Sequence, residues 1–190
     1  IVFGNGTLNS QMQDNVIIGS EREAIHLAES ESENVVSGNY INGNGTSIDY
    51  GMSITDDGIN GSTIFGNVIK GNQVIGAGLS GIALVQFGGT GLTIAQNIIM
   101  DNFVFNANQM AVASNTAGIF LNGSSITQTQ VIGNVIESGL VQWAILESNV
   151  TYGYPTNTIV GPNSGIAGSS GTVSLSGAGS AKLTGGATGL

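Results

Sequence analysis

Apolar residues in this chain come in short runs, and the runs alternate with polar residues at a period of two. The clearest are Gly51-Met52-Ser53-Ile54, Gly81-Ile82-Ala83-Leu84 and Gly118-Ile119-Phe120-Leu121. Ala24-Ile25-His26-Leu27 and Trp143-Ala144-Ile145-Leu146 repeat the pattern with the glycine replaced. Alternate side chains of a strand share a face, so Ile25, Met52, Ile82, Ile119 and Ala144 are expected to form one inward stack. Leu27, Ile54, Leu84, Leu121 and Leu146 form the neighbouring one. Between these runs an asparagine is followed two positions later by a branched residue, at Asn15, Asn39, Asn67, Asn97, Asn134 and Asn157, with an apolar or aromatic residue three positions before each. The intervals between them are 24, 28, 30, 37 and 23 residues. Repeats of this size mark a solenoid, whose units bury an apolar face only by stacking on one another.

The runs are too short and too β-branched for helical repeats, which need ten or more residues of helix-forming sequence. They are bounded by glycine and asparagine, as strands are, and there is no regular leucine ladder. The predicted architecture is therefore all-β: a right-handed parallel β-helix of about six coils over residues 1–163, with a small Gly/Ser-rich strand segment at 164–190. Asparagine tolerates the left-handed backbone of a tight corner. Stacked asparagine side chains can also bond up and down a column, which satisfies buried amides.

Composition narrows the function classes. The chain has 190 residues, 31 glycines, no cysteine, and a net charge of −9 from 12 acids against Arg22, Lys70 and Lys182. So few cations argue against nucleic acid or an anionic membrane as partner, and no apolar stretch approaches the ~20 residues of a bilayer span. Without cysteine the redox compartment is not indicated. Ile1-Val2-Phe3 opens directly in strand-like sequence, and an uncovered first coil would expose unpaired edges, so the chain is expected to be a piece of a longer solenoid. Thr172-Val173-Ser174-Leu175 and Ala181-Lys182-Leu183 alternate as short strands of a C-terminal cap or oligomerisation segment.

Coils of this form, with Asn-x-Ile followed by Gly-Ile-x-Leu, resemble the right-handed parallel β-helix of the pectate-lyase-like superfamily over roughly residues 1–163. The tail is similar to the small-strand segment after the β-helix in some bacteriophage tailspikes. The resemblance implies a protein that binds or degrades polysaccharide along the outer face of the helix, most like a trimeric tailspike or appendage fragment that meets cell-surface glycan on an extracellular or virion surface. A secreted polysaccharide lyase, hydrolase or epimerase is the alternative, as is a structural adhesin stalk without chemistry. Function by fold analogy is weak in kind, because one fold hosts many activities.

Stacking nominates residues for chemistry. In-register coils set Glu29, Asp56 and Gln86 two positions beyond the last aliphatic of consecutive repeats. Adjacent strands lie ~4.8 Å apart, which suits two carboxylates of a retaining glycosidase, about 5 Å apart. Glu29, Asp56 and Asp57 are thus the candidate catalytic residues, with Glu31 and Glu33 alongside. A solvated acidic edge is the competing reading, and clustered carboxylates are also oxygen ligands for Ca²⁺. No other cofactor is indicated, and one histidine without cysteine makes a poor zinc site. Thr55-Asp56-Asp57-Gly58 is similar to the paired-aspartate element of polygalacturonases, but the Gly-His-Gly and Arg-x-Lys motifs of that family are missing. For a lyase, Arg22, His26 and Tyr50 are the nearby cationic or proton-moving groups, too few to favour elimination over hydrolysis.

Candidate substrate contacts are His26, which the alternation turns outward beside Ser53, together with Gln86, Phe103, Phe105 and Phe120. The 37-residue interval predicts an insertion near Met100–Thr116 that carries Phe103, Phe105 and Met110 as a binding wall, since loops on a rigid scaffold carry function. Gly76-Ala77-Gly78-Leu79-Ser80-Gly81 fits a phosphate-binding glycine pattern, but strand-like Ile82-Ala83-Leu84-Val85 follows where that fingerprint needs a helix. The Asn-x-Ser/Thr triplets at Asn5, Asn44, Asn60, Asn122 and Asn149 are expected from composition alone.

Overall fold

The computed structural model describes residues 1–4, 6–20, 22–43, 50–88, 90–111, 116–137, 140–149, 152–165 and 171–183. No helix occurs among the described residues. Their strands pair in parallel, and the chain is a β-solenoid of four sheets. The long sheet stacks Val2–Phe3, Ile25–Ala28, Tyr50–Thr55, Ser80–Val85, Ala117–Asn122, Trp143–Ser148 and Gly171–Ser174. A short sheet stacks Thr63–Phe65, Thr93–Ala95 and Ile126–Thr127. The third sheet runs from Gln11–Gln13 through Val35–Ser37, Val68–Lys70, Ile98–Met100, Gln130–Ile132 and Ile159–Val160 to Ala181–Lys182. The fourth holds Val16–Ile18, Tyr40–Asn42, Gln73–Ile75, Phe103–Phe105, Val135–Glu137 and Ser164–Gly165.

The core is the inner face of each sheet, read down the columns. Ile25, Met52, Ile82, Ile119 and Ile145 are in register and fully buried. So are Ile64, Ile94 and Ile126 in the short sheet, and Val36, Ile69, Ile99, Val131 and Val160 in the third. Each buried Ile, Leu or Val contributes roughly 1.5–3 kcal/mol over exposure. No turn of backbone could hold this surface from water alone, so the stack is what makes each coil stable.

Two asparagine columns replace the expected one, and they flank the third sheet. In the first, the Asn34 side-chain oxygen accepts the Ser10 amide, Asn67 accepts that of Asn34, and Asn97 that of Asn67, at separations of 24, 33 and 30 residues. In the second, Asn39, Asn72, Asn102, Asn134 and Asn163 accept in turn the amides of Asn15, Asn39, Asn72, Asn102 and Asn134, at 24, 33, 30, 32 and 29 residues. The same Asn-x-branched signature thus occurs at both ends of a three-residue strand. The series read from the sequence mixes the two columns: Asn67 and Asn97 belong to the first, Asn15, Asn39 and Asn134 to the second. Asn157 belongs to neither: it is a corner residue with φ 54°.

Two further expectations change with this. The 37-residue interval spans one column to the other, and the true coil spacing there is 32 residues. Phe103 and Phe105 therefore sit on a strand of the fourth sheet, paired with Gln73–Ile75 and Val135–Glu137, and not on a projecting loop. Met110 is exposed beyond it, while residues 112–115 of the expected insertion lie outside the described residues.

The last long strand also shifts by one position. Ile119 pairs with Ile145, Phe120 with Leu146 and Leu121 with Glu147. Ala144, not Trp143, thus takes the glycine position of Gly51, Gly81 and Gly118. At the three glycines the limit is steric: a Cβ at Gly51 would run into Val74, one at Gly81 into Val104 and one at Gly118 into Ile136. Here the long and fourth sheets meet closely inside the solenoid, and only a small residue fits. Leu146 moves to the outer face, in an apolar cluster with Ala83, Val85, Ala117 and Phe120. Glu147 takes its inward place.

Residues 166–170 and 184–190 of the C-terminal segment, and the Asn5 and Asn44 triplets, lie outside the described residues. Gly171–Ser174 continues the long sheet on Trp143–Ser148, and Ala181–Lys182 continues the third on Ile159–Val160.

Candidate functional site

Three polar side chains converge where the long strands end. His26 lies on the outer face of Ile25–Ala28, paired with Ser53. One coil on, Thr55 closes its strand and Asp57 follows in a left-handed corner, φ 46°. The His26 ring nitrogen Nε2 stands 2.7 Å from Thr55 Oγ1 and 3.3 Å from Asp57 Oδ1. The Thr55 hydroxyl donates to Asp57 Oδ1 at 2.6 Å. A carboxylate can only accept, so the Thr55 proton is committed to Asp57 and its oxygen accepts from the His26 Nε2–H. The network fixes the imidazole tautomer and holds Asp57 at the surface, its side chain 39% exposed.

Beside this network lies an open groove of about 610 Å³, lined by Val2, Arg22, Glu23, His26, Asp57 and Phe87. Phe87 is 49% exposed. Arg22 is largely solvated and lies 3.8 Å from Glu23. The groove thus combines an aromatic surface, both signs of charge and a histidine able to move a proton. Tyr152 borders the same turn through its hydroxyl, which donates to the Phe87 carbonyl at 3.0 Å.

Asp56 and Asp57, adjacent in sequence, part company. Asp56 is fully buried. Its Oδ1 accepts the amides of Phe87 at 2.7 Å and Gly58 at 3.2 Å, and its Oδ2 that of Gly88 at 3.4 Å. That carboxylate clamps its own turn to the turn of the next coil. Gln86 does the same one level on, its Oε1 accepting the Ser125 amide at 3.1 Å. Glu29 stands beside Asp56 in the stack, at a corner with φ 71°, half-buried, its amide bonded to the Thr55 carbonyl at 3.2 Å. Solvent reaches Asp57 rather than Asp56.

The predicted aromatic contacts do not share this groove. Phe103 and Phe105 project from the outer face of the fourth sheet, with ring centroids 6.2 Å apart and planes 12° from parallel. Phe120 is buried in the outer apolar cluster of the long sheet. The groove gains residues that the sequence reading did not nominate, Glu23 and Phe87 above all. Phe87 carried a signal: a large apolar residue just past a strand and before glycine, where no core position was due. Among the described residues, no group of three or more His, Cys, Asp or Glu side chains is placed to hold a metal ion.

Two buried acids, Glu31 and Glu147, lie away from the groove. Glu31 extends the inward short-sheet column of Ile64, and Glu147 the column of Leu121. Burial pushes the Glu31 carboxyl above its ordinary value, with Glu29 adding repulsion, while hydrogen bonds from Gly6 and Thr7 act the other way.

No protein-family model and no curated protein sequence matches the chain. Among solved structures, an alginate lyase from Paenibacillus sp. str. FPU-7 aligns over 94% of this chain and 76% of that one, with 11% identity and a TM-score of 0.33. A likeness of that size carries no argument about chemistry.

Proposed function

We propose that this solenoid binds a polysaccharide in the groove at His26, Asp57 and Phe87. The observation that carries the reading is the exposed Phe87, which lines the same groove as the Asp57–His26 network. An aromatic face packs against the C–H face of a sugar, while carboxylate, imidazole and guanidinium groups pair with its hydroxyls. The rigid stack supports it, because a groove fixed by parallel strands pays little ordering cost when an extended glycan settles in. The similarity of the small-strand tail to that of some phage tailspikes extends the proposal to recognition of a cell-surface glycan by an extracellular or virion-surface spike. Titration calorimetry against a panel of bacterial surface and plant polysaccharides tests the groove. Phe87→Ala and Asp57→Asn should each weaken binding at least tenfold with the fold intact. Wild-type affinity in both variants would move the site elsewhere.

Cleavage is the second reading, favoured by the 3.3 Å contact between His26 and Asp57. Such a pair can hold and return a proton at a glycosidic oxygen or at a sugar carbon. Release of new reducing ends from a bound polymer, lost in both His26→Ala and Asp57→Asn, is the expected result. Binding without any release would leave the protein a lectin-like recogniser.

A further inference from the structure

A second groove, of about 560 Å³, lies at the corner between the short and third sheets, lined by Gln96, Ile98, Gln128, Gln130, Asn157 and Ile159. We propose that it is a binding site for an uncharged polysaccharide laid along the solenoid axis. This proposal is independent of the groove at Asp57.

The groove is built from two columns with one residue per coil. Gln96, Gln128 and Asn157 are corner residues on three successive coils, each with φ 54°. Their amides bond to the Thr127, Thr156 and Ala178 carbonyls of the next coil at 3.1, 3.0 and 2.9 Å. The shared corner conformation places three carboxamide side chains at the same position of successive coils, and all three residues are exposed. Gln96 Nε2 donates to Gln128 Oε1 at 3.0 Å, so neighbouring amides already hold one another in line. The second column is Ile98, Gln130 and Ile159, paired in register on the outer face of the third sheet.

Both columns repeat at the strand spacing of ~4.8 Å. Among the described residues no charged side chain lines the groove, in a chain whose net charge is −9. A carboxamide donates and accepts at once, which matches a hydroxyl and gives an anionic or cationic group no counter-charge. Isoleucines flank the amides as sugar rings present C–H edges between hydroxyls. The occupant that fits is therefore neutral, hydroxyl-rich, extended and repeating. A protein partner would need a larger apolar area, and a charged polymer would need ions.

The column also supplies its own control, because its member one coil earlier is Gly66, likewise left-handed with φ 66°. Gln96→Gly and Gln128→Gly thus delete the amides without straining the corner. Binding of cellohexaose, mannohexaose and xylohexaose should be measured by calorimetry and by saturation-transfer NMR, beside hexagalacturonate as the anionic probe. The expected result is binding of at least one neutral hexaose, unchanged between 0.05 and 0.5 M salt. It should weaken at least fivefold in Gln128→Gly and in Gln130→Ala, and stay as in wild type in Asp57→Asn and Phe87→Ala. Absence of binding by all three neutral probes, preference for the uronate, or wild-type affinity in both glutamine variants would overturn the proposal. Loss of binding only in Asp57→Asn or Phe87→Ala would assign the sugar to the first groove and overturn this one.

Discussion

Asn39 and Asn72 are 33 residues apart in the chain, yet Asn72 Oδ1 accepts both the backbone amide and the side-chain amide of Asn39, each at 2.9 Å. Asn72 Nδ2 in turn donates to Asn102 Oδ1 and to the carbonyls of Val36 and Lys70. One side chain thus ties three coils together inside a fully buried column. Asn72→Ala strands the buried backbone amide of Asn39, at about 1–3 kcal/mol, and removes the side-chain donor to the Val36 and Lys70 carbonyls, while Asn39 Nδ2 keeps its bonds to the Met12 and Ser37 carbonyls. Urea unfolding should show a loss of about 2 kcal/mol or more. Asn15→Ala, at the half-buried first step of the same column, should cost clearly less.

The other column stops early. Asn97 Nδ2 and the hydroxyls of Thr129 and Thr158 are buried without a partner, because threonines stand where the column calls for asparagine. Thr129→Asn should extend the ladder and stabilise the protein by about 1 kcal/mol, read as a rise in the urea midpoint. A fall would mean that the corner has no room for the longer side chain.

Glu31 makes stability depend on pH. Its carboxyl is raised above 4.5 by burial, so the folded state holds the proton more tightly than the unfolded chain does. Ionisation therefore works against folding: stability falls as pH rises from about 4.5 through the folded value, and levels off above it. Glu31→Gln should flatten this part of the profile and raise stability at neutral pH. Thermal melts of both proteins between pH 4 and 8 check the sign.

Glu147 anchors the last described coil. It is 1% exposed, and its carboxylate accepts the Ser176 and Gly177 amides at 2.8 Å and the Ser180 hydroxyl at 2.6 Å. Bonds to a charged acceptor are worth roughly 1.5–3 kcal/mol each. In Glu147→Ala, hydrogen exchange should accelerate at least tenfold in residues 171–183, with protection of the Met52–Ile54 and Ile82–Leu84 strands kept.

Gly81 marks a close approach of two sheets. A Cβ there meets Val104 Cγ1 and stands 3.1 Å from the Gly118 carbonyl. Gly81→Ala should destabilise by about 1–3 kcal/mol as overpacking does. Adding Val104→Ala should recover part of that loss, because it opens the space the new methyl needs. Additive losses in the double variant would place the strain elsewhere.

Period-two alternation is local, since it follows from the pleat of one strand, so the inward faces at Ile25, Met52, Ile82 and Ile119 were legible from sequence. Pairing between coils is not local. Asn-x-branched occurs at both corners of the strands Val35–Ser37, Val68–Lys70 and Ile98–Met100, and nothing in either copy says which column it joins. The slip at Trp143-Ala144-Ile145-Leu146 has the same origin: Ile145 and Leu146 serve equally well as inward residues until the strand pairs with Ile119 and Phe120 of the coil before. Asp56 and Asp57 read as twins for a related reason. Only the arrival of the Phe87 and Gly88 amides from the next coil takes Asp56 out of solvent and leaves Asp57 to the groove.

Sequence alone determined that this chain is a stack of short parallel strands with apolar columns inside, because strand periodicity and repeat length are carried by neighbours along the chain. Tertiary structure decided the register of each coil, the two asparagine ladders and the residues that share a groove, because those depend on which side chain lies ~4.8 Å above another. Sugar-sized surfaces at His26, Asp57 and Phe87, and at Gln96, Gln128 and Asn157, exist only once the coils are laid on one another.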